Sequence, residues 1–562
     1  MQQLTMDTPE MMVGPRSHAL CDKAPVLAKV ILLLAFTGLL GACDSERESP
    51  ESGKPVAGSE TASEQHREQN PTGKGIPWFK GSIEDAFKLA KAEKKPVFLY
   101  WGAQWCPPCQ ELKSTIFRRD EFIQQSKLFV PVYLDGDTER AQKYGEQFQV
   151  YGYPTVIIFD PDGVEITRIP GGMDITQYLG VLQLALNALR PVRELVASVQ
   201  AGQTIRDDDW RLLASYSWSQ DRDSKLGSKS GYVVLQELAT ACPASLAASK
   251  SKLQMLAILS WANDTERDPS LATAYAAQIE TVLSDPQLAR ENLGVFIMGG
   301  ADMVDAMPSQ EQRAAIRKGI AALLAAAPRD RSIGVLTRID AIFGWVQVER
   351  TAIGEDDALP VAQQEWVRER VDTARAQLDA YQTHAGLSAI SDIYLSAGLV
   401  PEARATLLEG IETSRQPYYF MAGMADLETR AGNPDDAITW RKRAWEAAQG
   451  PATRVQWGSS YLLALLELHP EDIATINDTG TALLRELAQQ KDGLHQRSSG
   501  RIDKLSQSLL AWAAVDDTDA ASLDKRAQVL SNLRREMDKV CANLSTNAGT
   551  PASCATFLAP QA

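Results

Sequence analysis

The stretch YWGAQWCPPCQEL, residues 100–112, places Cys106 and Cys109 behind Trp105 with only Pro107 and Pro108 between them. That spacing serves three chemistries: half of a metal site, a structural cross-link, or a redox dithiol. A zinc site needs further Cys or His at ligand spacing. Apart from Cys21, in the leader described below, the other cysteines are Cys43, Cys242, Cys541 and Cys554, all isolated, and the five histidines are scattered. No metal and no cofactor are expected. A disulfide closing so short a loop removes little chain entropy, so a staple is a poor reading. The redox reading gives each residue a task. Prolines favour the first turn of a helix, which puts Cys106 at a helix start, where unpaired N–H groups and the helix dipole favour a thiolate. Cys106 is then the attacking sulfur, and Cys109, one turn on, resolves the mixed disulfide. Trp105 either shields the sulfurs and offers an apolar contact surface or packs as ordinary core.

Around this motif helical and strand patterns alternate. SIEDAFKLAKAEKK (82–95) carries Ile83, Ala86, Phe87 and Ala90 on one helical face. PVFLYWG (96–102) and LFVPVYLD (128–135) read as buried strands, PPCQELKSTIF as a helix between them and TERAQKYGEQF as a short helix. PTVIIFD and GVEITRI, joined by Asp160-Pro161-Asp162-Gly163, make a hairpin. DITQYLGVLQLALNAL (174–189) closes the unit as a helix. The order predicts a small α/β domain over residues 76–190.

That order, with WCPPC ending the first strand and YGYPT before the hairpin, resembles the thioredoxin fold. More narrowly, WFKGSIEDAFKLAKAEKKPVFLYWGAQWCPPCQEL resembles the thioredoxin-like domains of bacterial envelope thiol-disulfide reductases. The resemblance implies catalytic roles for Cys106 and Cys109, a cis peptide before Pro154 facing the dithiol, and pairing of the Tyr153 backbone with an extended client segment. Two departures bear on mechanism. Thioredoxins carry a buried aspartate six residues before the first cysteine and a lysine on the neighbouring strand, which together move the second thiol's proton. The matching positions here are Tyr100 and Pro131. A tyrosine of ordinary pKa near 10 is a poor base, which leaves water or Glu111 to take the proton of Cys109. Direction follows from Pro107 and Pro108, which have no N–H groups to stabilise the Cys106 thiolate. A reducing couple, with a Cys106 pKa nearer neutral than acidic, is expected.

The N-terminus reads as an export signal. Residues 30–42, VILLLAFTGLLGA, are too short to span a bilayer and suit the apolar core of a leader, with translation starting at Met11 or Met12 to leave a positive flank. LLGAC resembles the lipobox of bacterial lipoproteins, which implies cleavage before Cys43 and its lipidation. Asp44 resembles an inner-membrane retention signal. The expected location is therefore the periplasmic face of a Gram-negative envelope, with the inner membrane favoured over the outer. Residues 44–75 are rich in Ser, Glu, Gly and Pro without an aromatic residue, a composition that does not fold and reaches about 30 Å as a coil.

Beyond residue 190 only helical periodicity is found, so the fold class is multidomain: an α/β thioredoxin fold followed by an all-α, solenoid-like region. Gly398 and Gly432 are 34 residues apart, as are Ala403 and Ala437. That is the period of tetratricopeptide repeats. Ala444 suits a further repeat position, while Gly410 and Arg441 depart from it, and a third repeat fits near residues 467–473. The reading divides the chain into a leader (1–42), a lipidated cysteine and linker (43–75), the thioredoxin-like domain (76–190), a helical region (191–390), repeats (391–540) and a tail (541–562). Cys541 and Cys554 can pair in a loop-like tail, leaving Cys242 unpaired, or Cys242 can bond to one of them.

The net charge of −15, with acids spread throughout, argues against nucleic acid. The expected function is a membrane-anchored periplasmic protein-disulfide reductase. Its partners would be disulfide-containing client proteins and a membrane thiol electron donor, with the helical region docking a partner or shaping client access. A scaffold lipoprotein, and an isomerase or oxidase, are the alternatives.

Overall fold

The computed structural model describes residues 75–150, 152–188, 190–220, 230–354, 357–491, 493–515, 520–544 and 551–559. The expected leader, the lipidation site at Cys43 and the linker lie outside these residues. From Ile76 onward the described chain belongs to one compact unit.

Helix α1 (Ile83–Glu93) starts where Ser82 accepts the Asp85 N–H at 3.0 Å and stops at Lys94 in left-handed conformation. Strands β1 (Val97–Gly102) and β2 (Val130–Asp135) pair in parallel, and β3 (Thr155–Phe159) and β4 (Glu165–Ile169) form the hairpin. The sheet order is β2-β1-β3-β4, with β3 antiparallel to β1. Phe98 and Tyr100 point to one face, where Phe117, Phe122, Phe129 and Tyr178 pack; Val97, Leu99 and Trp101 point to the other, against Ile83, Ala86 and Ala141. Because both faces are covered, β1 is apolar along its whole length rather than alternating. Between β1 and β2 run α2 (Pro107–Leu112), a π-helical turn over Lys113–Phe117, and a further helix α3 (Asp120–Gln125) that the sequence reading lacked. Helices α4 (Glu139–Gln147) and α5 (Ile175–Leu186) are capped by Thr138 and Asp174.

The strand register corrects one assignment. Tyr100 pairs with Tyr133, and Pro131 pairs with Phe98. Residues 131 and 133 share a face because a strand alternates with period two, and it is the second that lies beside Tyr100.

After α5 the described residues contain helices and no strand. Helices α6 (Val192–Gln200), α7 (Asp207–Ala214), α8 (Gly231–Ala241) and α9 (Ala247–Ala262) bring Leu195, Trp210, Leu213, Leu238 and Leu253 into the core of the Tyr100 face. A second core, around Phe296, Ile320, Ile339, Val367 and Ile393, joins the following helices. They are α10 (Ala272–Ser284), α11 (Pro286–Glu291), α12 (Leu293–Asp305), α13 (Gln310–Ala326), α14 (Val335–Arg350), α15 (Val361–Arg375), α16 (Thr383–Ser396), α17 (Val400–Thr413) and α18 (Pro417–Arg430). A third core, around Leu462, Leu483, Leu505 and Leu533, unites α19 (Pro434–Ala447), α20 (Pro451–Leu468), α21 (Ile473–Leu487), α22 (Gln496–Ala513), α23 (Ala520–Asn543) and α24 (Ala552–Thr556).

Gly398 and Gly432 follow α16 and α18 with φ of 79° and 75°, and Ala403 and Ala437 are buried on the next helices. The 34-residue spacing thus marks equivalent turns of successive helical hairpins. Cys541 and Cys554 are bonded, and they sit on α23 and α24 rather than in a loop. That cross-link, 13 residues apart in sequence, contributes about 3 kcal/mol in the chain-entropy account. Cys242, at the end of α8, is free and buried.

Candidate active site

Cys106 caps the N-terminus of α2, and its sulfur accepts the Cys109 N–H at 3.2 Å. Pro107 and Pro108 fill the first turn without N–H groups, so the Cys109 amide is the backbone donor on that sulfur among the described residues. The two sulfurs are bonded to one another. Both are sealed from solvent, Cys106 at 3% and Cys109 at 0% exposure. Tyr153, whose peptide to Pro154 is cis, packs against the same cluster with its ring edge-on to Trp105 at 6.2 Å. Its hydroxyl donates to the Gly136 carbonyl and accepts from Gln142, and burial pushes its phenol pKa up. The Pro154 carbonyl accepts the Gln220 amide at 2.9 Å.

The seal comes from the helical region. Tyr418 and Ala422 of α18, Ala444 of α19, Ala448 just beyond it and Trp457 of α20 form one apolar cluster with Ala103, Trp105, Cys106 and Cys109. The Tyr419 ring lies nearly parallel to the Trp105 indole, 6.3 Å away. Of the two readings of Trp105, packing is the one the structure displays: the side chain is buried, and residues from more than 300 positions further along the chain cover it.

Polar contacts fix that cover. The Trp105 Nε1–H donates to Asp137 Oδ1 at 3.0 Å, and the same oxygen accepts from Thr453 Oγ1 and lies 3.4 Å from Arg497 Nη2. The Ala452 N–H donates to the Asp137 carbonyl at 3.3 Å. Beside α4, His495 Nδ1 meets Glu146 at 2.6 Å and Gln496 donates to the Val150 carbonyl. On the opposite side His384 of α16 faces the Trp105 backbone. Its Nδ1 lies 2.8 Å from Ser414 Oγ, and burial holds its pKa below the usual histidine value.

Of the residues considered for proton transfer, Tyr100 is enclosed and Glu111 is half-buried. Tyr100 is fully buried, stacked on Tyr133 at 5.4 Å and edge-on to Phe117 at 4.8 Å. The Glu111 carboxyl, on α2, is pushed above the ordinary carboxylate range by burial and then by the nearby Asp340 of α14, whose own pKa burial also raises. A protonated Glu111 donates rather than accepts, so it takes a proton only after losing its own.

Sequence reasoning located the dithiol, Trp105, Tyr153 and Pro154, which are close in sequence or marked by proline. It did not find Asp137, His384, Tyr419, Trp457 or Arg497, which carry no local motif. Among the described residues no three His, Cys, Asp or Glu side chains converge as a metal site, and no helix is long and apolar enough to cross a membrane.

Residues 83–186 match the family described as thioredoxin-like domain. The thiol:disulfide interchange protein DsbD of Yersinia pestis (strain Pestoides F) is 36% identical over 99 residues, which is 17% of this chain and 17% of that protein. DsbD of Vibrio vulnificus (strain CMCP6) is 32% identical over 109 residues, 19% of this chain and 18% of that protein. The chain thus spans less than a fifth of the length of these relatives. A solved structure titled DsbH Oxidoreductase is 22% identical, covers 24% of this chain and 96% of its own, and has a TM-score of 0.18. The parallel and antiparallel pairing of four strands, the dithiol at the start of α2 and the family match together make residues 83–186 a thioredoxin-like domain.

Proposed function

We propose that the protein is a thiol-disulfide oxidoreductase that reduces disulfides of client proteins at the periplasmic face of a bacterial envelope, anchored through a lipid on Cys43. The observation that carries this reading is the Cys106–Cys109 disulfide at the N-terminus of α2, in a domain matched by DsbD proteins. In the forward cycle the Cys106 thiolate attacks one client sulfur, the client S–S bond breaks, and one client thiolate leaves and takes up a proton. Cys109 loses its proton and attacks Cys106; the Cys106–Cys109 bond forms and the second client thiol departs. Two electrons pass to the client, and a membrane thiol protein returns them by the reverse exchange. The single backbone donor on the Cys106 sulfur supports a reducing couple, since thiolate stabilisation is what makes an oxidase. The helical hairpins, read as degenerate tetratricopeptide-like repeats, govern client access.

The test is insulin reduction by the full mature chain, expected for wild type and absent in Cys106→Ser and Cys109→Ser. A midpoint potential above about −150 mV, in the oxidase range, sinks the reductive direction. Burial of both sulfurs favours a second reading, a scaffold lipoprotein whose helices bind partners. Full complementation of a deletion strain by both serine variants would establish it instead.

A further inference from the structure

Arg497, near the start of α22, sits in the notch between Trp105 and Tyr153. Its guanidinium carbon is 5.1 Å from the Trp105 ring centroid and 5.2 Å from that of Tyr153. The side chain is 8% exposed, and its one ionic contact among the described residues is Asp137, 3.4 Å from Nη2. Nε and Nη1 are buried and meet no hydrogen-bond acceptor among those residues. A buried guanidinium with two unused donors is costly. The cost is offset if another state of the catalytic cycle brings an anion to the notch. Trp105 is covalently joined to Cys106, and both rings pack in the cluster that holds the sulfurs, so the anion that forms nearby is the Cys106 thiolate.

We propose that Arg497 is a positioning residue of the dithiol, a cation supplied by the helical region that favours the Cys106 thiolate and opposes the negative field of Asp137. The two act against each other on Tyr153, where Arg497 favours the ionised phenol and Asp137 and Asp135 disfavour it. Asp137 Oδ1 also accepts from Trp105 and Thr453, and it meets Arg497 only through Nη2 at 3.4 Å, so the guanidinium keeps donors free for a further anion. Other titratable groups on the elements packed around the dithiol include Glu111 on α2, His384 and Asp392 on α16, and Tyr418, Tyr419, Asp426 and Glu428 on α18, with Arg430 as a further fixed charge there. Arginine keeps its charge at every working pH, so its influence is present throughout the cycle. The cation tempers the reducing bias that Pro107 and Pro108 impose.

The inference rests on the dithiol being redox-active. Its test is the Cys106 pKa in the reduced full chain, from thiolate absorbance near 240 nm, each protein measured against its own Cys106→Ser counterpart to subtract the remaining thiols. An opposite charge about 4–6 Å away lowers a pKa by about 1–3 units; Arg497 reaches Cys106 across the Trp105 and Tyr153 rings rather than by direct contact, so the lower end of that range is expected. Arg497→Met is therefore expected to raise the Cys106 pKa by on the order of one unit, Arg497→Lys to restore most of it, and Asp137→Asn to shift it the other way. A tenfold change in thiolate stabilisation corresponds to about 30 mV, so the Met variant should also be more reducing by roughly that amount. Unchanged pKa values in both Arg497→Met and Asp137→Asn, each folded by circular dichroism, overturn the proposal while leaving insulin reduction by wild type intact. Failure of wild type itself to cycle between dithiol and disulfide removes the parent reading together with this one.

Discussion

Tyr419 covers the face of Trp105 beside Cys106, the surface that a client would have to reach under the proposed function. The stacked pair is 6.3 Å apart, and such pairs contribute about 0.5–1.5 kcal/mol beyond their buried area. Tyr419→Ala is therefore expected to speed alkylation of Cys106 in the reduced protein by about three- to tenfold. A rate equal to that of wild type would show that another side chain holds the seal. At this scale the sequence was legible where chemistry is local. Two cysteines at a helix start and a proline after Tyr153 define themselves within a few residues. Asp137 and Arg497 are 360 positions apart, and neither stands in a motif, so only the folded chain joins them. The neighbour of Tyr100 was misassigned for a related reason: residues 131 and 133 share a face, and pattern alone does not fix the register between parallel strands.

Helix α20 reaches the site through Gly450, which precedes its first turn. Its φ is +87°, and a Cβ built there lies 2.9 Å from the Asp137 Cβ. Gly432, with φ +75°, has nothing within 4 Å of such an atom. The two differ in close approach and also in strain, because Gly450, with ψ 140°, lies beyond the left-handed region in backbone that essentially only glycine adopts. Gly432→Ala carries only the left-handed penalty, about 1–2 kcal/mol. Gly450→Ala adds a clash that pushes α20 off the loop bearing Asp137, and it is expected to lower the denaturation midpoint further and to increase the exposure of Cys106. Urea unfolding of the two variants, with thiol accessibility measured alongside, checks the ordering; equal losses would mean that the Asp137 contact adds nothing. The 34-residue spacing in the sequence marked Ala403, Ala437 and Ala444 as packing positions of α17 and α19, and all three are buried. It could not say what they pack against, because an apolar stripe fits any apolar partner, for Ala444 the dithiol end of the thioredoxin-like domain. The short α3 escaped notice because six residues hold too few repeats of a 3.6-residue period to register.

Across the whole molecule, Glu111 and Asp340 link the dithiol helix to the middle of the helical region. Burial raises both carboxyl pKa values in the folded chain, and the charge of Asp340 raises that of Glu111 further. In the unfolded chain both titrate near their ordinary values of about 4. The folded state therefore binds more protons between those values and the raised ones. The stability this pair contributes is fully present below about pH 4 and is lost as pH rises through the raised folded values. Wild-type stability should therefore fall as pH rises from 5 to 8. Glu111→Gln combined with Asp340→Asn should flatten most of that slope. Asp392, raised by burial and by nearby Asp426, and Asp503, raised by burial, keep part of the slope, which His384, lowered by burial, opposes. Urea midpoints at unit pH steps decide the matter, and an equal slope in the double variant would show that these two carboxyls are not what couples the halves of the chain. Because the pair lies between α2 and α14, the same rise in pH should loosen the cover on Cys106 in wild type more than in the double variant. Alkylation rates corrected for the thiolate fraction measure that difference.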